Sequence, residues 1–251
     1  MVPAPVPARS RATPGRAFRR DLGLLAGAVL IFFALDAADA RAQVSGSLSA
    51  VSNYRYRGVS LSHNDPAAQA TLVYDHPQGF YAGAFASTVR IGYPASNELQ
   101  GIFFAGYART TSEGATWEAG IVYSGFTGTT SYAYPELLLG ARYDKVSARL
   151  HYSPNYYGRG SNSVYAEIDA AHRLFDHVQA VAHVGALWTD ARNVYDDAID
   201  VVYDGRVGLL FDFDRFNIQV SWVGLSDASL GYGLTGVRSR NGPVVSVSWL
   251  F

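Results

Sequence analysis

His151-Tyr152-Ser153 sets a base two residues from a nucleophile, the spacing that puts both on one face of an extended strand, with Asn155 close behind. That arrangement could support acyl transfer. It is a weak signal, because Ser153-Pro154 begins a loop and isolated His-x-Ser triplets arise by chance. The other histidines, His63, His76, His172, His177 and His183, lack the spacing of metal ligands, and no glycine-rich loop follows a strand and opens a helix to hold phosphate. No catalytic residue, metal or other cofactor is therefore expected. A larger set of reactive side chains is charged: Arg55, Arg57, Arg90, Glu118, Glu136, Arg142, Arg149, Glu167, Asp169, Asp204 and Arg206. What these can do depends on which way their segments turn them.

The segments alternate with period two. From Ala115 to Phe126, Trp117, Ala119, Ile121 and Tyr123 fall on one face, and Thr116, Glu118, Gly120 and Ser124 on the other. Val178 to Trp188 and Phe216 to Val223 repeat the pattern, one face oily and the other mostly small or polar. This reading predicts strands near 44–56, 66–74, 80–91, 98–110, 115–126, 135–143, 146–152, 163–173, 178–188, 199–211, 216–223 and 243–251. Near Gln100 to Phe104 both faces are apolar, which leaves the parity open there.

Tight turns fall at Asp75 to Gly79, Thr111 to Gly114, Asp144-Lys145, Leu174 to His177 and Asp212 to Arg215. The intervening connections are generally longer and rich in Gly, Ser, Asn or Asp, as at Thr127 to Tyr134, Ser153 to Asn162, Thr189 to Ala198 and Gly224 to Gly242, the last containing Arg238 and Arg240. An even strand number with short turns on one side and long loops on the other predicts an all-β fold, a transmembrane antiparallel up-and-down β-barrel with both termini periplasmic. Aromatics fall at both ends of the oily face: Tyr74, Tyr81, Tyr107, Trp117, Tyr143, Phe211 and Phe216 by the short turns, and Tyr54, Tyr56, Tyr123, Tyr152, Trp188 and Trp222 by the long loops. Such belts suit the two interfaces of a bilayer.

If the oily faces meet lipid, parity sends all eleven charged residues named above into the lumen. Charge at membrane depth needs water or a partner, so they form either a solvated pore lining or a lattice of ion pairs. Arg55 and Arg57 share one face near the external end. They could make a cationic constriction that selects anions, or pair with acidic residues on neighbouring strands and stiffen the wall. Twelve strands lie between the filled eight-stranded barrel and the aqueous sixteen-stranded one, so width alone does not choose. His151 is also sent inward, whereas a lipid hydrolase needs its nucleophile at the lipid-facing wall.

The first forty-two residues differ in kind. Arg9, Arg11, Arg16, Arg19 and Arg20 form a basic head, Leu22 to Leu35 an apolar centre, and Ala38 to Ala42 offers small-x-small cleavage sites. About fourteen apolar residues fall short of the roughly 20 that span a bilayer, so 1–42 is expected to be a signal peptide and 43–251 the barrel. The remainder carries fourteen basic and eighteen acidic residues, a net charge of −4 that makes nucleic acid an unsuitable partner. Cysteine is absent, so no disulfide framework is available. At the other end Val245, Val247, Trp249 and Phe251 alternate to the last residue, the pattern with which many outer-membrane barrels end.

Two stretches resemble a known family. They are Ser52-Asn53-Tyr54-Arg55-Tyr56-Arg57-Gly58-Val59-Ser60, with Asp65-Pro66-Ala67-Ala68-Gln69 and Gly79-Phe80-Tyr81-Ala82-Gly83 following, and Tyr152-Ser153-Pro154-Asn155-Tyr156-Tyr157-Gly158 with Val164-Tyr165. The chain is similar here to the TorF family, bacterial outer-membrane β-barrels formerly of unknown function. The resemblance implies an outer-membrane porin and brings no substrate or active site with it. It also implies that the barrel-assembly machinery reads the C-terminal pattern. The expected partners are outer-membrane lipid, that machinery and small solutes. The expected function is passive diffusion of small hydrophilic solutes through a charged lumen, the alternative being a structural or loop-mediated binding barrel.

Cleavage is expected after Ala42. N-terminal sequencing of protein extracted from the membrane fraction should then begin at Gln43; a mature chain that retains Leu22 to Leu35 would show a permanent anchor instead.

Overall fold

The structure is a computed structural model and describes residues 43–92, 95–128, 132–190, 201–227 and 239–251. The expected signal peptide and Arg238 lie outside them. The alternating segments become β1 (Gln43–Val51), β4 (Ala67–Asp75), β5 (Phe80–Ile91), β6 (Ser96–Thr110), β7 (Thr116–Phe126), β8 (Tyr134–Tyr143) and β9 (Val146–Ser153) in the first half. In the second half they become β10 (Ser163–Phe175), β11 (Val178–Thr189), β12 (Val201–Phe213), β13 (Phe216–Leu225) and β14 (Gly242–Leu250). These twelve strands pair antiparallel with their neighbours, and β1 pairs with both β4 and β14, so the sheet closes on itself. Their ends fall within two residues of expectation except at the first strand, which stops at Val51 rather than at residue 56. Beyond it the chain forms a small hairpin, β2 (Arg55–Tyr56) and β3 (Val59–Ser60), a two-stranded sheet separate from the wall.

Pairing through two neighbours satisfies each strand's backbone, which a hydrocarbon surround cannot do. The outer surface fits that surround. Leu48, Leu72, Ile121, Leu137, Leu139, Ile168, Val184, Val207 and Val220 are all exposed, a continuous apolar band that would be costly in water. Tyr107, Trp117, Tyr143 and Phe216 point outward near the short turns, and Tyr152, Trp188 and Trp222 point outward near the long loops. Three residues expected in these belts are elsewhere. Tyr54 and Tyr56 belong to the inward hairpin, and the Tyr81 hydroxyl donates to Glu118 inside the barrel at 3.1 Å.

The open parity of β6 resolves through its partners. Gln100 is fully buried and donates to Ser124 Oγ at 3.0 Å, while Leu99 is exposed, so even-numbered residues face inward. Phe104 accordingly lies inside, its ring 6.4 Å from that of Tyr81.

Closure depends on the last residue. Phe251 exchanges two backbone hydrogen bonds with Gly46, at 2.9 and 3.1 Å, and its ring covers the place where a Cβ on Gly46 would sit, at 2.6 Å. Outward Val245, Val247 and Trp249 continue the same ridge along β14. Gly46→Val should therefore overpack the seam at a cost of about 1–3 kcal/mol. The check is the unfolding midpoint of detergent-solubilised protein, which should fall; an unchanged midpoint would mean that the ring yields freely.

Candidate functional site

The connection between β1 and β4 turns into the barrel instead of prolonging the wall. Arg55 pairs with Ser60 and Tyr56 with Val59, which leaves Arg57-Gly58 as a two-residue tip with φ of 49° and 75°. A tight hairpin of the right twist needs positive φ at both central positions. Glycine adopts this readily, whereas a non-glycine residue is strained there by about 1–3 kcal/mol and needs surroundings that hold it.

Those surroundings come from the far wall. Arg57 Nη2 donates to both carboxylate oxygens of Glu136 on β8, at 2.8 and 2.9 Å, and the two side chains are only 6% and 1% exposed. The guanidinium also lies 4.3 Å from the ring centre of Tyr165 on β10 and 5.1 Å from that of Tyr56. In the ring of twelve, β9 stands opposite β1, and β8 and β10 flank it. The hairpin therefore crosses the lumen.

Further contacts fix its flanks. The Tyr54 hydroxyl donates to Gln100 Oε1 on β6 at 2.9 Å, Ser60 N–H donates to Ser239 Oγ at 2.9 Å, and Arg55 donates to the carbonyls of Gly58 and Arg240. Burial, and after it the neighbouring Tyr56, push the Tyr54 phenol well above its usual range, so it remains a neutral donor. Beneath it, Val59 and Leu61 pack with Val89 and Ile91 of β5, Phe126 of β7, Val202 of β12 and Leu225 of β13.

This corrects two expectations. Arg55 and Arg57 are inside the barrel, but on a hairpin rather than a wall strand; of the two readings of their charge, Arg57 follows pairing, with Glu136 across the lumen as its partner. Arg90 is not in the lumen. It sits on the outer face at the loop end of β5, paired with Asp65 Oδ2 at 2.6 Å, while Ser87, Val89 and Ile91 take the inner face. The inner face is apolar at this level because the hairpin, not water, meets it; Phe85 lies 5.7 Å from Tyr54 ring to ring.

The remaining charges form a ladder across consecutive strands. Arg149 Nε on β9 donates to Glu118 Oε1 on β7 at 2.8 Å, and Nη1 lies 3.8 Å from Glu167 and 3.9 Å from Asp169, both on β10. His183 on β11 bridges Asp169 at 2.9 Å and Asp204 on β12 at 3.1 Å, and Arg206 donates to Asp169 at 3.5 Å. His151 sits between Glu136 at 3.7 Å and Glu167 at 3.5 Å. Antiparallel register makes this level, since Glu167 is opposite Arg149, and His183 is opposite both Asp169 and Arg206. Arg142 shares the inward parity of Glu136 but lies exposed beside the Asp144-Lys145 turn, apart from the ladder.

Parity alone sends His151 inward, and the sequence offers no ion-pair partner for it or for His183. Their rungs become visible only when strand register is known. Glu167, Asp169 and His183 also bring ligand atoms within 4.8 Å of one another, a grouping that could hold a metal ion. Both ring nitrogens of His183 are already engaged by carboxylates, Arg206 reaches the same Asp169 oxygen, and Arg149 reaches Glu167 and the other Asp169 oxygen, so each ligand group already has a partner. Ser153 Oγ accepts the Asn155 N–H, and His151 addresses Glu136 and Glu167, so their described contacts lead away from one another.

Opposite the ladder the inner face turns to amides and hydroxyls. Gln69, Gln219, Ser221 and Ser246 line a chamber of about 480 Å³ with the hairpin on one side and Glu167, Asp169, Asp204 and Arg206 on another.

Solved structures of similar fold are outer-membrane porins. The NanC porin superposes with a TM-score of 0.53 at 10% identity, over 83% of this chain and 98% of that one. The KdgM porin gives 0.51 at 13% identity, over 82% and 99%. A KdgM porin in complex with disordered oligogalacturonate gives 0.51 at 12%, over 83% and 99%. At these identities the likeness is one of fold. No curated protein matches the chain. With residues 36–244 matched by the family's model, the chain belongs to the Gcw_chp family, bacterial proteins of unknown function.

Proposed function

We propose that this protein is a channel of the bacterial outer membrane through which small hydrophilic solutes diffuse passively, and that it has no catalytic role. The observation that carries the reading is a closed wall, apolar outside, whose inner face bears a ladder of charges and a chamber. A barrel needed only as an anchor would gain from a dry interior, because burying paired charges rarely adds net stability. Resemblance to the TorF family and the porin fold of the neighbours support the same reading. Export through the periplasm and recognition of Val245, Val247, Trp249 and Phe251 by the barrel-assembly machinery belong to it.

The inward hairpin makes the lumen narrow, so discrete but small conductance steps are expected. One alternative draws on the same hairpin: a barrel that it plugs, serving as a structural or loop-mediated binding protein. Planar-bilayer recording of the purified mature protein separates them, since a plugged barrel is silent and a channel is not. Glu136→Gln removes the charge that holds Arg57, at a cost of about 3–5 kcal/mol for a stranded buried cation. The variant should show larger or noisier steps than the parent. Absence of conductance above background in the parent would remove the channel.

A further inference from the structure

Ladder and hairpin together carry almost no net charge. Arg55, Arg57, Arg149 and Arg206 stand against Glu118, Glu136, Glu167, Asp169 and Asp204, a formal excess of one negative charge before His151 and His183 are counted. Apart from Arg55 and Arg57 on the hairpin, these charges lie along one arc of wall, β7 to β12, with Arg149, His183 and Arg206 set among the carboxylates. Paired at 2.8 to 3.9 Å, they cancel over a short distance, and salt screens what is left within about 8 Å. Neither an anion nor a cation meets an extended attractive surface.

The facing arc offers a different chemistry. Gln219, Ser221, Ser246 and Gln69 present amides and hydroxyls to the chamber, with no charge among them. Across from them Arg206 and Asp169 remain 40% and 31% exposed, able to donate to and accept from a polar guest without losing each other. The chamber's volume of about 480 Å³ falls within the range of small-molecule sites.

Resting on the channel reading, we infer that the chamber binds a neutral, hydroxyl-rich solute, a saccharide of one or two rings. Its ring and hydroxyl oxygens accept from Arg206 and the amides, and its hydroxyls donate to Asp169 and to the serine and glutamine oxygens. An acidic sugar of the same size brings a carboxylate toward Glu167, Asp169 and Asp204, and of the lining's cations Arg57, His183 and Arg206 already hold Glu136, Asp169 and Asp204. Selection is by hydrogen-bond complementarity, with charge acting only against ions.

The experiment uses the full mature protein in detergent and measures saturation-transfer NMR with glucose, maltose, sucrose and trehalose, and with digalacturonate as the acidic comparator. Saturable millimolar binding of at least one neutral sugar, weaker binding of digalacturonate, and loss of about tenfold in affinity in Gln219→Leu are expected, the last being the effect of about one hydrogen bond. Ser246→Ala, a smaller change, should act in the same direction. Arg90→Gln, on the outer face, should leave the affinity as it was. Tighter binding of digalacturonate, or no saturable signal from any neutral sugar, overturns the inference. Conductance is recorded separately, so a conducting protein that ignores sugars refutes the chamber alone, and a silent one that binds them refutes the channel alone.

Discussion

A β-strand in hydrocarbon has nowhere to place an unpaired N–H or C=O, and the rest of this molecule follows from that constraint. Twelve strands satisfy it only when β1 finds β14, which makes the terminal residue part of the wall: Phe251 bonds to Gly46 through the backbone and lays its ring in the space a side chain would take. Once the sheet is closed, each strand has one face in lipid and one in an enclosed interior. Apolar residues on one parity and charged or small residues on the other are then the arrangement that avoids burying charge in hydrocarbon.

The interior is organised in two parts for different physical reasons. At the loop end a hairpin fills the space, so the wall there is lined by Val89, Ile91, Phe126 and Leu225 and the contacts are those of a small protein core. Deeper in, past the hairpin, Glu118, Arg149, Glu167, Asp169, His183 and Asp204 hold one another. Arg57 joins the parts. Its strained backbone and buried charge are tolerable because Glu136 and Tyr165 of the opposite wall and Tyr56 beside it in the hairpin surround it. Loss of that pair would free the hairpin tip at the same time as it leaves a buried charge unmatched.

Period-two patterning made the wall legible, because lipid and lumen impose opposite demands on neighbouring residues all along β7, β11 and β13. The same rule misled where a second layer lies inside. Tyr54-Arg55-Tyr56-Arg57 alternates as a wall strand does, yet it leads into a hairpin within the lumen, where Tyr56 and Arg57 both reach β8, at Tyr134 and Glu136. The same rule sends Arg90 inward; the hairpin reverses the local pattern, giving Val89 and Ile91 the inside and leaving Arg90 to Asp65 on the outer face. Glu118, Glu136, Arg149, Glu167, Asp169, Asp204 and Arg206 could be placed by parity, but the part played by His183 and His151 depends on which residue stands across the strand gap. Register of that kind is a tertiary property, set by the turns and by closure together.

All four tryptophans, Trp117, Trp188, Trp222 and Trp249, project from the outer face, so tryptophan fluorescence reads the closed wall directly. In liposomes of brominated lipid their emission should be strongly quenched while aqueous iodide has little effect. Emission untouched by brominated chains, from a chain that also stays monomeric in buffer without detergent, would contradict a wall that faces hydrocarbon.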